Sequence, residues 1–420
     1  ACKRYVNIGE SETEKNDMTA VITDVRYRMA VALIRDLGSV GIDVIACERE
    51  EYVHSRKTPP LGFFSKSVKK TITLPNEDEA YLDALYETCA DIYRQTGEKP
   101  ALLAVGAKTL AQLAKQETHR RFSSVAGLCL SYKEQLDLFN DKAAVHRLAT
   151  QLGVAVPQSL AATEQTIHQW SSFPCVVKPL CGEKYGLGAA QRYKIVSDRQ
   201  HLADAAHHFQ TLTGEAPLVQ EYLPGAAYGC SAICQDGELM CVLCHQRLRE
   251  YPVSGGPSSC CRVIDAPHLV QAAKAMAGAV HFTGPVMFEF KADANGQARL
   301  LEINPRVWGS YPLARVAGSG MSFVWFALSY NNGNPKEPIE RVSASVHMGK
   351  KMRFFPTDLL AGIGYLRRGQ IGRGLGAFSP FLCDGLWEWR DMRPAWRYYR
   401  ALFTRSGKGK NDKKTDVDRK

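Results

Sequence analysis

Two glutamates in an apolar hairpin-like stretch, Glu289 and Glu302, with Asn304 and Arg306 close behind the second, are the residues of this chain best placed to do chemistry. The segment Phe288-Glu289-Phe290, then Asn295-Gly296, then Leu301 to Arg306 reads as two β-strands joined by an Asn-Gly turn. With Asn295 and Gly296 as the two loop residues, Glu289 falls directly opposite Glu302. Like charges directly opposite destabilise a sheet, and carboxylates about 4 Å apart repel by several kcal/mol in a partly buried site. A divalent cation is the simplest group to hold them together. Asn304 and Arg306 follow at spacings of two, so strand alternation puts them on the face of Glu302. The set is then an oxygen-ligand metal site with a guanidinium beside it for an anion. A solvated hairpin face is the competing reading, and the flanking Val286, Phe288, Phe290, Leu301 and Ile303 argue against it.

Further groups suit a polyanionic ligand. Cys175-Val176-Val177-Lys178-Pro179 is a short apolar strand ending in a lysine, which can fix a positive charge in a cleft. Gly182, Lys184, Gly186 and Gly188 follow in a loop whose glycines let backbone N–H groups approach phosphate oxygens. Leu218 to Glu221 is another strand, stopped at Pro224-Gly225; backbone groups there suit the edge of a purine ring. Arg247 and Arg249 stand two apart on a strand after an Asp236-Gly237 hairpin, which puts both on one face. Each feature also has a plain structural reading as a turn, a strand end or a solvated face. Cys241 and Cys244 are three apart on an extended strand, so they point to opposite faces and read as small buried hydrophobes rather than as a zinc pair.

The elements that must position these groups fall into regions. Residues 18–130 alternate strand and helix signals, which implies a parallel-sheet α/β domain. The first strand leads into Thr23-Asp24-Val25-Arg26, without the glycine fingerprint of a dinucleotide site. Residues 131–152 read as one long helix ending at Gly153. From about 155 to 305 the pattern is strand-rich with hairpins, and residues 131–345 read as an α+β domain on an antiparallel sheet. Residues 346–404 form a basic aromatic segment, 405–420 a charged tail expected to be disordered, and 1–17 an extension.

The chain has 420 residues, is 45% hydrophobic and carries a net charge of +10. That excess lies in residues 350–420, which hold 17 Lys or Arg and 7 Asp or Glu. Such a region suits an acidic partner or an anionic membrane surface, and Trp387, Trp389, Trp396, Tyr398 and Tyr399 among the arginines suit an interface. The alternatives are a solvated tail and packing beneath a nucleotide cleft. No nucleic-acid partner is expected. Thirteen cysteines without framework spacing point to reduced thiols and a cytoplasmic location.

In this order the residues resemble the ATP-grasp superfamily: Asp141-Lys142, Val177-Lys178-Pro179, the glycine-rich loop, Gln220-Glu221-Tyr222-Leu223, then Glu289, Glu302, Asn304 and Arg306. The resemblance covers about residues 18–325, and the Glu…Glu-x-Asn-x-Arg hairpin is its most specific part. It implies that Lys142 and Lys178 contact ATP phosphates, Lys178 also reaching the adenine. It gives Gln220 the adenine amino group, and the backbone of Glu221 and Leu223 the ring edge. The loop from Gly182 to Gly188, with Lys184, would close over the phosphates. Glu289, Glu302 and Asn304 would hold one or two Mg²⁺ (or Mn²⁺). Arg306 and Arg247 would steady the acid and its acyl phosphate.

The implied reaction joins a small-molecule carboxylate to an amine at the expense of ATP. Two other readings stay open. One is a bicarbonate-using carboxylase or carbamoyl-phosphate-type enzyme; the other is a non-catalytic ATP-binding module that recruits a partner or a membrane through residues 386–405.

Overall fold

The computed structural model describes residues 18–180, 187, 193–253, 255–330 and 346–406. The chain forms two compact units, both discontinuous in sequence. One comprises Ala1–Tyr132, Arg306–His347 and Cys383–Lys420; the other comprises Lys133–Pro305 and Met348–Leu382.

The first unit opens with β1 (Thr19–Thr23), α1 (Arg28–Ser39), β2 (Asp43–Arg49), α2 (Glu50–Val53), β3 (Lys70–Leu74), α3 (Asp78–Thr96), β4 (Ala101–Ala104), α4 (Ala107–Leu113) and α5 (Gln116–Ser123). The strands form a parallel sheet in the order β3-β2-β1-β4. β1 and β4 are buried along their whole length, as apolar runs without alternation require in a sheet covered on both faces. At the end of β1, Asp24 is left-handed (φ 57°) and accepts hydrogen bonds from Thr23 Oγ1 at 2.7 Å and the Gly106 amide at 3.1 Å.

The second unit contributes α6 (Lys133–Asn140), α7 (Lys142–Gln151), β5 (Ser159–Ala161), α8 (Glu164–Gln169), β6 (Cys175–Lys178), β7 (Lys194–Val196), α9 (Arg199–Thr213) and β8 (Leu218–Glu221). Then follow β9 (Ala227–Gln235), β10 (Glu238–Glu250), β11 (Ser258–Val263), α10 (Pro267–Ala279), β12 (Gly284–Ala292) and β13 (Ala298–Asn304). The first unit resumes with α11 (Pro312–Val316) and α12 (Met321–Ser329), the second with β14 (Lys351–Arg353), α13 (Thr357–Arg367) and α14 (Ile371–Leu375), and the first with α15 (Arg393–Ser406).

The second unit has two antiparallel sheets. β5-β8-β6-β7 forms the smaller, over a core of Trp170, Val177, Leu202, Phe209 and Val219. The larger runs β13-β12-β9-β10-β11-β14 within this unit. β9 and β10 meet at Asp236 (φ 48°) and Gly237 (φ 82°), two left-handed residues as a two-residue hairpin turn needs. The expected long helix over 131–152 is instead two helices. Asp141 breaks it, because its carboxylate caps α7 by accepting from the amides of Ala143 and Ala144.

The hairpin of β12 and β13 also differs from the simple turn. Ala292 pairs with Ala298, so Asp293–Gln297 form the connection, and a bulge follows at Leu301. Asp293 organises the loop by accepting from the Asn295 and Gln297 amides, both at 2.9 Å. The longer loop and the bulge offset each other in register. Glu289 therefore does pair directly with Glu302, and Met287 with Asn304.

Candidate active site

Glu289, Glu302 and Asn304 project from one face of the larger sheet. Their row continues from Glu289 to Gly229 on β9 and His245 on β10. Gly229 is required there: a Cβ would lie 2.3 Å from Cε1 of the buried His245 ring. With no side chain on β9 at this point, Arg247 reaches across that strand and binds the Glu289 carboxylate.

The repulsion between the two glutamates is offset by protein groups. Glu289 is held by Arg247 and by Asn304 Nδ2, which donates to its Oε1 at 3.1 Å. Glu302 faces Lys142 Nζ at 3.5 Å. Burial pushes the Glu302 carboxyl upward, but Lys142, Lys178 and Arg247 together bring it below the usual carboxylate range. It is ionised at neutral pH.

Lys142 is the first residue of α7, and its ammonium also donates to the Leu180 carbonyl at 3.4 Å. Lys178 ends β6 and donates to Gln220 Oε1 at 2.9 Å; Gln220 Nε2 in turn donates to Ser159 Oγ at 2.8 Å. Burial, with nearby Lys142, lowers Lys178 to about 8, against the pull of Glu302 and Glu289. Glu221 closes β8, its amide bonded to the Gln158 carbonyl at 2.9 Å, and Leu223 lies beyond the strand end, buried. Gly182, Lys184, Gly186 and Gly188 lie outside the described residues.

Two expectations change. β13 ends at Asn304, so strand alternation does not extend to Arg306, which begins a segment of the other unit and donates to the Val307 carbonyl at 3.3 Å. Arg247 and Arg249 are not on one face. Arg247 pairs with Cys261 but Arg249 with Cys260, because a bulge at Leu248 intervenes. Arg249 points to the opposite face, bound by Asp358 of α13 through two bonds of 2.8 and 2.7 Å. Trp308 is core, edge-on to Tyr311.

Sequence reading missed His146. It stands one helical turn after Lys142, and its Nε2 lies 3.3 Å from the carbonyl of Leu301, the bulged residue. Burial, then Lys178 and Lys142, lowers it to about 4, so it is neutral. The signal available was the four-residue spacing from Lys142.

Chemically, the arrangement is two carboxylates and an amide facing three cations. Among the described residues no group of three or more His, Cys, Asp or Glu converges as a closed metal cage. Two carboxylates with one amide oxygen are instead the partial, oxygen-only set that suits Mg²⁺ shared with substrate phosphates.

Residues 213–352 match the family model described as ATP-grasp in the biosynthetic pathway with Ter operon. No curated protein sequence matches the chain. Among solved structures, it resembles the L-amino acid ligase from Bacillus licheniformis (15% identity, TM-score 0.52, covering 76% of this chain and 75% of that one). It is similar to N5-carboxyaminoimidazole synthetase from Staphylococcus aureus complexed with ADP (16%, TM-score 0.56, 81% and 82%). It is also similar to the biotin carboxylase domain of Hydrogenobacter thermophilus 2-oxoglutarate carboxylase, in complex with MgADP, ADP and bicarbonate (14%, TM-score 0.57, 79% and 73%). At such identities the likeness speaks for the fold, an N-terminal parallel sheet followed by an antiparallel-rich region. The chain thus shares the fold of these enzymes, and its residues 213–352 match an ATP-grasp family model.

Proposed function

We propose that the protein is an ATP- and Mg²⁺-dependent ligase that activates a carboxylate as an acyl phosphate and joins it to an amine. The observation that carries this reading is the directly paired Glu289 and Glu302, ringed by Asn304, Arg247, Lys142 and Lys178. Phosphoryl transfer is mostly positioning and charge neutralisation, and this set supplies both without an enzyme nucleophile.

Glu289, Glu302 and Asn304 would hold Mg²⁺, which would supply charge neutralisation for the nucleotide phosphates. Lys142 would leave Glu302 for a phosphate oxygen, and Lys178, charged once a phosphate faces it, would hold another. The amide oxygen of Gln220 would accept from the adenine amino group while its Nε2 stays on Ser159. The Glu221 and Leu223 backbone would meet the ring edge. The loop with Gly182, Lys184, Gly186 and Gly188 would cover the phosphates. Arg247, and Arg306 beyond β13, would orient the acid. Its carboxylate oxygen attacks the γ-phosphorus and ADP leaves; the amine then attacks the acyl carbon, losing a proton as phosphate departs.

The test is phosphate release from Mg·ATP across a panel of amino acids, carboxylic acids and amines, with Glu302→Ala as control. Release that needs one acid and one amine and vanishes in the variant is expected. Bicarbonate belongs in the panel, since a carboxylase domain crystallised with it shares the fold. Release with bicarbonate alone would replace the ligase reading by the carboxylase one.

A partner surface is favoured by the aromatic segment. Trp387, Tyr398 and Tyr399 pack on Val31 and Leu61 in the first unit, yet Trp389 is 79% exposed, and Trp396 stands exposed among Arg393, Arg397 and Arg400. An anionic surface suits this face. Loss of vesicle binding in Trp396→Ala/Arg397→Ala would support it, and unchanged binding would remove it. We place the protein in the cytoplasm: the described cysteines are all free thiols, ten of them buried, and no described helix is long and apolar enough to cross a membrane.

A further inference from the structure

The bulge at Leu248 gives the larger sheet a second charged face, opposite the glutamate row. Gln246, Arg262 and Lys351 stand directly across from one another on β10, β11 and β14, and the next row holds Arg249, Cys260 and Arg353. Four cations thus occupy two adjacent rows, with Arg262 and Lys351 in direct opposition, an arrangement that destabilises a sheet unless something negative covers it. Among the described residues one carboxylate binds these cations, Asp358, and Arg249 takes both its oxygens, with Ser259 also donating to it at 2.9 Å. Arg262 and Arg353 find only neutral acceptors, Gln246 Oε1 and the Ala377 carbonyl, both at 2.8 Å. The Nε of each is buried without a hydrogen-bond partner.

A cavity of about 650 Å³ lies against these rows, lined from them by Gln246, Arg249, Cys260 and Lys351. The strand segment 246–249 and Cys260 line it with Lys351, Arg373 of α14, Phe381 and Leu382, and no carboxylate is among the lining residues. Exposed apolar side chains lie on its lining or next to it in sequence. Phe381 is 91% exposed, and Ile371, Leu375 and Phe378, adjoining the lining residues Gly372, Arg373 and Gly376, are exposed as well. Cations inside and bare apolar side chains at the mouth are complementary to an anionic amphiphile, and arginine-rich clusters favour a phosphate.

We propose that this cavity is a second ligand site, taking a phosphate-bearing amphiphile with its phosphate at Lys351 and Arg373 and its apolar portion along Phe381 and Leu382. The site does not rest on the ligase reading: Lys351, Arg373, Phe381 and Leu382 take no part in it, and Arg247, which also lines the cavity, is held by Glu289. The phosphate has two sources, the headgroup of a bilayer lipid and a dispersed alkyl phosphate.

The test uses the full chain without ATP. Binding of dispersed dodecyl phosphate is measured by calorimetry, and co-sedimentation is measured with phosphatidic acid vesicles and with neutral phosphatidylcholine vesicles. The variants are Lys351→Gln/Arg373→Gln and Phe381→Asp, all at exposed positions. The expected result is binding of one phosphate source by the wild type, weakened at least tenfold by the double variant and by Phe381→Asp. Binding confined to vesicles assigns the bilayer; binding of the dispersed compound assigns a soluble ligand. Binding of neither, equal binding to neutral vesicles, or unchanged binding in the variants overturns the proposal. Mg·ATP turnover, read separately, is expected to survive in the double variant.

Discussion

Each unit concentrates charge, and the two concentrations differ in how they are closed. In the first unit Arg35 and Asp36 lie on a helix buried on nearly every side. Asp391 accepts from Arg35 Nε at 2.9 Å, Ser65 Oγ at 2.7 Å and the Lys66 amide at 3.0 Å. Asp36 accepts from Arg315 at 2.7 Å and Ser322 at 2.6 Å, and Arg315 also binds Glu388 at 2.9 Å. The bonds are short and several converge on each carboxylate. In the second unit Arg247 holds Glu289 closely, but the contacts of Lys142 are long, to Glu302 at 3.5 Å and to Leu180 at 3.4 Å, and Asn304 reaches Glu289 at 3.1 Å. The first network holds a helix in place. The second holds two like charges together with Arg247 and Asn304 on Glu289 and the more distant Lys142 on Glu302, and on the proposed function a metal–nucleotide would take the place of Lys142. The difference lies at Glu302, whose nearest cation stands at 3.5 Å while each carboxylate named in the first unit accepts bonds of 3.0 Å or less.

That contrast can be broken by substitution. Asp391→Ala, which strands the buried Arg35, is expected to cost about 3–5 kcal/mol of stability, read by urea unfolding, with no nucleotide-specific effect. Glu302→Gln is expected to leave unfolding nearly unchanged while lowering ATP turnover roughly 10²–10³-fold, about 3–4 kcal/mol. Comparable destabilisation by both would erase the distinction. Gly229→Ala must displace the His245 ring and the path of Arg247, for an expected loss of about 1–3 kcal/mol, with ATP affinity falling too.

The smallest effect is in pH. Lys178 titrates near 8 when folded and near 10.5 as an ordinary lysine. The unfolded chain binds more protons between those values, so this lysine makes the free protein more stable as pH rises from 8 to 10.5. Phosphates favour its charged form, so ATP affinity should fall over the same range, by at most about tenfold per pH unit. Calorimetry in buffers of different ionisation heat should show proton uptake on ATP binding near pH 8. Lys178→Arg, which stays charged, should abolish both trends.

Much of this was legible in the sequence because strand alternation is local. Glu289, Glu302 and Asn304 share a face as their spacing requires, and Lys178 ends its strand as Pro179 dictates. What misled was the β-bulge, which shifts the face by one residue without a compositional mark. At Leu301 it compensated for a longer loop and preserved the glutamate pair; at Leu248 it sent Arg249 to the other face and made the second charged surface. His146 was missed because its partner is a backbone carbonyl freed by that first bulge. The division of the C-terminal region between units was equally hidden, since β14 joins a sheet edge far away in sequence.

The most direct test of the central claim is Mn²⁺ binding followed by electron paramagnetic resonance, with and without a non-hydrolysable ATP analogue, in the wild type, Glu289→Gln and Glu302→Gln. Weak Mn²⁺ binding alone, one or two tightly held ions with the nucleotide, and loss of that tight binding in both variants at unchanged stability are expected. Nucleotide-dependent Mn²⁺ binding that survives both substitutions would contradict the claim.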